Sequence, residues 1–299
     1  MKFNENISAI HGYLCADGYV IKNPETQIHK YYHVGLRNTD KVLLKDFQAR
    51  FLQVFGIKPI ICKDGRCRIG SKRIFQILTK DYSYYSENWS LPKLSKENLR
   101  FWLRAFFDCE AWLELDGRKN RRISLDSINY KGLVKIQKVL YSIFNIRAII
   151  KEKKHGSIFR LHIFGKDNII KFKKEIGFLH PAKKNVLANV IKSYMNYKWE
   201  FPKERIKLIN FTKKLMKNKV KVKRPYIIRI NSIIKPNLKT LSMLLFKLYR
   251  IESKIYKRIN GYGTIYYELV IQKKASVNTV LKNNLIDKNE KNKIELNKL

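Results

Sequence analysis

The sequence predicts an α+β protein in which antiparallel sheets recur in repeated units of strand, helix, strand, turn, strand and helix. Three observations carry this reading. One hydrophobic pattern returns along the chain. Its strands alternate between an apolar and a basic face. The charge is also far from balanced, with 63 Lys+Arg against 24 Asp+Glu in 299 residues, a formal net charge of +39. At roughly 100–200 residues per domain, the length suggests two domains, each able to bury a core. An apolar fraction of 45% with 12% aromatics is too rich for a disordered basic tail. Such a charge opposes compaction by self-repulsion, so a polyanion is the expected partner: nucleic acid first, an acidic membrane surface second.

The repeat is read from register. Val34-Gly35-Leu36-Arg37 falls on Ile123-Ser124-Leu125-Asp126, and the same offset holds through the next helix. There Leu44, Phe47, Phe51, Val54 and Ile57 match Leu133, Ile136, Leu140, Ile143 and Ile146, whose threes-and-fours spacing makes one apolar helix face. After a hairpin, Arg66, Arg68 and Lys72 meet Arg160, His162 and Lys166. A third copy places Ile228, Ile230, Leu238, Leu245, Leu248 and Ile251 on Ile123, Leu125, Leu133, Leu140, Ile143 and Ile146. Its hairpin runs from Lys254 to Gln272 around Asn260-Gly261-Tyr262-Gly263.

Within the strands, His33, Gly35 and Arg37 share one face while Val34 and Leu36 share the other. Arg66 and Arg68 alternate with Cys67 and Ile69, and Arg160 and His162 with Phe159, Leu161 and Ile163. Arg122, Ser124 and Asp126 line the matching strand of the second unit, and Arg229 and Asn231 that of the third. Period two with one apolar face describes a half-buried antiparallel sheet. A solvated face would carry mixed charge, whereas this one is basic at equivalent strands. That makes these residues candidates for phosphate and base-edge contacts, since the major groove of DNA admits β-ribbons.

Two segments precede the first two units and resemble each other: Ile10-His11-Gly12-Tyr13-Leu14-Cys15-Ala16-Asp17-Gly18 and Leu103-Arg104-Ala105-Phe106-Phe107-Asp108-Cys109-Glu110-Ala111. Each sets small residues four apart, Gly12/Ala16 and Ala105/Cys109, followed at once by an acid. Residues four apart share a helix face, and small ones let two backbones approach closely. Helices paired in this way bring Asp17 and Glu110 together at electronegative C-terminal ends. Two close carboxylates need a cation between them or a raised pKa. Oxygen ligands without a Cys/His set point to magnesium rather than zinc.

On these motifs the chain resembles the LAGLIDADG homing endonucleases in their single-chain, two-motif form, over about residues 5 to 195. The stretch Ile176-Gly177-Phe178-Leu179-His180-Pro181-Ala182-Lys183 is similar to the end of the second half in archaeal and intein-borne members. The resemblance implies two pseudo-symmetric αββαββα halves, a saddle of antiparallel sheets on a long double-stranded DNA site, and double-strand cleavage in intron homing. Two or three divalent cations, taken as Mg2+, are shared between the motif acids. Carried over by position, Asp17 and Glu110 are the metal ligands and the carbonyls of Ala16 and Cys109 complete the shell. Arg37 and Lys72 in the first half, and Lys166 in the second, fit the basic residues that orient solvent. Lys72 and Lys166 serve equally as plain phosphate contacts. Asp126 stands where Arg37 stands, which departs from a symmetric pair of centres.

The domains expected are a first half (1–97), a second half (98–195), a basic connector with one helix (196–224) and a C-terminal DNA-binding or scaffold domain (225–299) of strand, helix, hairpin and helix. The third unit has no acid-bearing motif, and the polar end from Asp287 to Leu299 is expected to fray. Trp102, Trp112 and His180 read as packing or turn residues. Cys62 and Cys67 flank an Asp-Gly hairpin that would set them opposite each other, as two small strand residues or as a cross-strand bridge. No apolar run approaches the roughly 18 residues of a spanning helix, and the N-terminus lacks a secretory pattern. The expectation is therefore a cytoplasmic monomer bound to DNA. The competing function is a non-cleaving binder on the same scaffold, either an intron RNA maturase or a DNA-binding regulator. An intein is disfavoured because the first motif begins within ten residues of Met1, and a membrane-surface protein because no basic amphipathic helix with an aromatic face stands out.

Overall fold

The computed structural model describes residues 2–28, 31–116, 120–153, 157–195, 197–224, 226–261 and 263–295; Tyr262 of the third hairpin and the last residues, 296–299, lie outside them. The chain divides into two compact units, Met1–Ile191 and Lys192–Leu299.

In the first unit, α1 (Glu5–Cys15) begins at Asn4, whose side chain accepts from the Ile7 amide. It is followed by β1 (Gly18–Lys22), β2 (Tyr32–Arg37), α2 (Lys41–Phe55), β3 (Ile60–Ile61), β4 (Arg66–Gly70) and α3 (Lys72–Thr79). The series then repeats as α4 (Lys96–Glu110), β5 (Ala111–Asp116), β6 (Asn120–Ser127), α5 (Tyr130–Phe144), β7 (Ala148–Glu152), β8 (Phe159–Phe164), α6 (Lys166–Glu175) and α7 (Pro181–Met195). Both sheets are antiparallel, ordered β1-β2-β4-β3 and β5-β6-β8-β7. Val34 and Leu36 in one sheet, and Ile123, Leu125, Leu161 and Ile163 in the other, are fully buried beneath Phe47, Phe51, Leu133, Ile136 and Leu140 from the two long helices. The α+β class and the two αββαββα halves are therefore as the sequence predicts.

The second unit contains more than the C-terminal domain expected at 225–299. Residues 196–224, expected as a connector, hold α8 (Arg205–Lys219) and β9 (Lys221–Arg224). These lead into β10 (Ile227–Ser232), α9 (Lys235–Tyr249), β11 (Lys254–Ile259), β12 (Ile265–Ile271) and α10 (Lys274–Lys282). Strand β9 forms the edge of a third sheet, ordered β9-β10-β12-β11, the same order as the other two. The polar tail also differs from expectation. It forms α11 (Lys288–Glu295), which buries Ile294 in the core and accepts the Val222 amide on Glu290 Oε2 at 2.6 Å. One buried apolar side chain and one part-buried hydrogen bond join this otherwise polar helix to the core.

The long helices of the three repeats end alike. Gly56, Asn145 and Arg250 occupy corresponding places and are all left-handed, with φ of 69°, 52° and 58°. After two of them the chain closes with the same bond: the Ile146 amide donates to Leu140 and that of Ile251 to Leu245. Only the first position uses glycine; at Asn145 and Arg250 the turn is accompanied by full burial of the following Ile146 and Ile251. The first hairpin also departs from the two-residue Asp-Gly turn. Ile61 pairs with Cys67, and the Cys62 amide donates to Arg66 at 2.7 Å, which leaves a three-residue loop with Gly65 at φ 79°. Cys62 therefore faces Arg66, and both cysteines are free thiols.

Helices α1 and α4 lie side by side because Gly12 allows it. A Cβ at Gly12 would sit 2.4 Å from the Trp102 carbonyl oxygen and 3.2 Å from Ala105 Cβ. Gly12→Ala is expected to destabilise the protein by about 1–3 kcal/mol, and Gly12→Val by more, as overpacking at backbone does. Urea denaturation read by tryptophan fluorescence checks this, because Trp102 lies at the contact.

Candidate active site

The acids stand where the two packed helices end. Asp17 follows α1 and leads into β1, while Glu110 is the last residue of α4. Asp17 accepts a hydrogen bond from Asn38 Nδ2 at 2.8 Å, and its own carbonyl accepts the Arg37 amide at 3.2 Å. The Glu110 carboxyl is pushed up to about 7, chiefly by burial and then by the charge of Asp17, with Asp126 adding to the rise and Lys183 opposing it. Two carboxylates from the two halves therefore share one electrostatic environment, as the motifs predict. Burial and the neighbouring Asp17, which also hydrogen bonds to it, drive the Cys109 thiol well above its ordinary range. Cys109 is therefore a neutral thiol, and its carbonyl is the group available to a cation.

Lys183, in the first turn of α7, reaches this centre. Its ammonium donates to the carbonyls of Asp108 at 2.5 Å and Cys109 at 3.3 Å. Burial lowers its pKa against the opposing pull of Asp108, Cys109, Asp17 and Glu110. Asp108 explains how α7 comes to be there. Its buried carboxylate accepts the amides of Leu179, at 2.8 and 3.1 Å, and of His180, at 3.0 Å, just before α7 begins. Burial nevertheless pushes its carboxyl up to about 6. His180 Nε2 lies 3.4 Å from Asp40, the cap of α2, whose amide donates to Asn38 Oδ1. A polar chain thus runs from Asp17 through Asn38, Asp40 and His180 to Asp108. An open cleft lined by Asp17, Arg37, Asn38, His180 and Lys183 lies over it.

Sequence reasoning singled out neither Asn38 nor Lys183 for the site. The signal for Lys183 lay in the stretch ending Pro181-Ala182-Lys183, but a lysine one turn into a helix looks like any other surface lysine until the helix is placed. Of the positions expected to orient solvent, Arg37 lines the cleft, and its counterpart Asp126 is bound by Arg160 at 2.6 and 2.9 Å and by Lys153 at 2.5 Å. Lys72 and Lys166 open α3 and α6, and Lys72 lies 5.9 Å over the Tyr32 ring. The two centres are chemically unlike, with a cation at one and a neutralised acid at the other.

The expected DNA-contacting residues do share the outer sheet faces. His33, Gly35 and Arg37 oppose Gly70, Arg68 and Arg66 across β2 and β4. Gly35 is required there, because a Cβ would sit 2.7 Å from the Cys67 carbonyl oxygen as well as against the Tyr19 ring. Ser124 and His162 lie on the second outer face but are buried and hydrogen bonded to each other at 2.8 Å, with His162 lowered to about 4, mainly by burial. Arg122 is held by Glu114 at 2.7 Å, and Arg160 stacks over Trp112 at 4.7 Å. The outer faces are not purely basic. Glu114 and Asp126 on the second sheet's face are each paired with an arginine, whose direction the pair fixes.

Two segments of the chain, residues 4–84 and 97–177, match the family described as LAGLIDADG-like domain, together more than half its length. The chain belongs to the LAGLIDADG-like family. Several solved structures are similar to it. I-DmoI in complex with DNA and Mn is 17% identical, over 58% of this chain and 97% of that one, with a TM-score of 0.45. I-DmoI in complex with DNA and Ca gives 17%, 62%, 99% and 0.45 in the same terms. Full-length DUF199/WhiA from Thermatoga maritima is 16% identical, over 71% of this chain and 67% of that one, with a TM-score of 0.44. No curated protein matches.

The residues present fit a hard divalent cation at the LAGLIDADG helix ends. The candidate donors, the carboxylates of Asp17 and Glu110 and the carbonyls of Ala16 and Cys109, are all oxygens, the class such a cation takes, and the Lys183 ammonium lies on the Cys109 carbonyl at 3.3 Å. Among the described residues no group of three or more His, Cys, Asp or Glu side chains is placed to hold a metal.

Beneath the acids, the helix pair encloses His11. Its Nδ1 accepts from Trp102 Nε1 at 3.0 Å, and burial lowers its pKa to about 3. The unfolded chain takes up a proton near 6.5, and the folded chain only near 3. Between those values the unfolded state binds more protons, and this contribution to stability falls as pH falls. His11→Gln, which keeps an acceptor, is expected to flatten that part of the stability profile between about pH 6.5 and 3. Denaturation midpoints of both proteins across that range test it.

Proposed function

We propose that the chain is a site-specific DNA endonuclease, cutting both strands of a long duplex target with the help of divalent cations. The observation that carries this reading is the convergence of Asp17 and Glu110 from two closely packed motif helices, with Glu110 raised first by burial and then by the charge of Asp17. A divalent cation bound there would lower the pKa of a water and stabilise the departing oxygen of a phosphodiester. The chain's own residues do the remaining work. Asp17 and Glu110 supply the negative charge that fixes the ion, and Asn38 orients the Asp17 carboxylate. Arg37 offers a cation at the cleft to the phosphate. Lys183 offsets repulsion between the acids and, with substrate bound, would donate a proton or hydrogen bond to the reacting phosphate. Magnesium is the expected ion, and the protein acts on DNA as a monomer in the cytoplasm.

A net charge of +39 supports a polyanionic target, and the arginines fixed over Glu114 and Asp126 give the outer faces directed cations. The second reading, a binder that does not cut and acts on intron RNA or as a DNA regulator, is favoured by one feature. Asp126 replaces the cation that Arg37 supplies at the first centre.

Duplexes selected from a randomised pool in calcium, then exposed to magnesium, test the two readings. Discrete cuts by the natural protein, reduced at least about 10³-fold in Asp17→Asn and in Glu110→Gln with duplex affinity kept, are expected for the nuclease. Binding without cutting in the natural protein supports the binder instead. Lys183→Met is expected to slow cleavage about 10²-fold, in the range of a lost proton-transfer or charge-stabilising group, with Kd changed only a few-fold. Single-turnover cleavage beside a binding titration separates the two effects.

A further inference from the structure

The second unit repeats the architecture of each LAGLIDADG half without its motif. Its helix–strand–strand–helix–strand–strand–helix order and its sheet order match the other two, and α9 aligns end to end with α2 and α5. Register fixes the correspondence more closely. In the first two sheets Gly18 opposes Leu36 and Ala111 opposes Leu125, and the acids Asp17 and Glu110 immediately precede. In the third, Lys221 opposes Arg229, so the next step sets Val220 against Ile230 and places Lys219 in the acid's position. The positions of the small pairs Gly12/Ala16 and Ala105/Cys109 are taken by Lys214 and Asn218, both exposed. This motif helix has no small-residue face to pack against another helix and no carboxylate at its end, so the unit cannot build a cleavage centre.

Its sheet is nevertheless equipped to meet an anion. Core residues Val222, Ile228, Ile230, Leu269 and Ile271 fill one face. The other carries Lys221, Arg229, Asn231, Lys254, Tyr256 and Arg258 across β9, β10 and β11. The acid among them, Glu268 at the middle of β12, has a side chain only 4% exposed and is held by Arg229 at 3.5 Å and Arg258 at 3.4 Å. Arg258 also lies 5.4 Å over the Tyr256 ring. The buried acid and the ring fix the two guanidinium groups on the sheet, so the accessible charge of this face is positive. This repeats the arrangement of Arg122 over Glu114 and Arg160 over Asp126 in the second half.

We propose that residues 205–282 form a third, motif-free half-fold whose outer sheet face binds duplex DNA, holding the target without cutting it. The occupant follows from charge complementarity: four cations fixed or exposed on one face of an antiparallel sheet match the phosphates that border a major groove. The inference extends the DNA-binding reading of the first unit but does not require that unit to cut.

The test uses the full chain and long random-sequence duplexes in calcium. Lys221→Gln/Lys254→Gln alters the sheet face, and Lys239→Gln/Lys247→Gln makes the same charge change on exposed positions of α9, on the far side of the core. Both avoid the arginines that neutralise Glu268, and circular dichroism confirms that each folds. The sheet pair is expected to weaken binding about tenfold or more, to lower the slope of log K against log salt by about 2, and to shorten the nuclease-protection footprint. The α9 pair should leave the footprint unchanged and the affinity within about twofold.

Affinity, slope and footprint unchanged in the sheet pair, or an equal loss in both pairs, would overturn the proposal and make the unit a scaffold. A loss confined to structured RNA, with duplex binding kept, would overturn it in favour of an RNA surface. Cutting by the natural protein with no effect of the sheet pair removes this inference alone. A sheet-dependent affinity with no cutting in magnesium removes the nuclease reading alone.

Discussion

The close approach of α1 to α4 is the constraint on which the site depends. At Gly12 the two backbones come near enough that no side chain fits between them, and this proximity forces two acids from separate halves into one environment. Apolar burial around Trp102, Phe106 and Phe107 stabilises the pair, while the like charges at its end oppose it. A raised Glu110 and a half-buried Lys183 are the two ways in which the protein relieves that opposition. The unfavourable electrostatics are local, and the packing that sustains them extends along two helices.

The halves are symmetric in backbone and unlike in charge. The strand position that carries Arg37 in one half carries Asp126 in the other, where Arg160 and Lys153 neutralise it. Lys183 comes from α7, a helix that Asp108 draws in after the second half and that has no counterpart between α3 and α4. One αββαββα frame therefore supports two differently charged centres, and changing a few side chains at fixed register is sufficient to do so. In the third copy the same substitution of chemistry at fixed register goes further, with Lys219 where the acids stand.

Acids on the outer sheet faces have a shared use. Glu114, Asp126 and Glu268 each lie beneath or beside an arginine that they hold in place. A guanidinium fixed in this way loses less conformational freedom on meeting a phosphate than a free one would. Counting charges along a strand treats such acids as diluting a basic face, whereas their geometry shows them directing it.

Much of the frame was legible from sequence because periodicity is a local property. Offsets between Val34 and Ile123, or Leu133 and Leu238, report helix and strand faces directly, and the small-residue pairs with their following acids report a helix contact. The turns were less legible. The first hairpin is one residue longer than its Asp-Gly pair suggests, and Arg250 adopts the left-handed cap that glycine fills at Gly56. Strand β9 was hidden in a lysine-rich stretch read as a connector with one helix, because Val222 is its single apolar residue. The sequence by itself determined the repeat, the two motif acids and the sign of the charge, since each is fixed by residue type and spacing. Tertiary structure alone decided that Lys183 meets the acids, that Asp126 is neutralised and that the last unit is a complete third half-fold. Those facts depend on which distant segments become neighbours, and spacing along a chain carries no record of that.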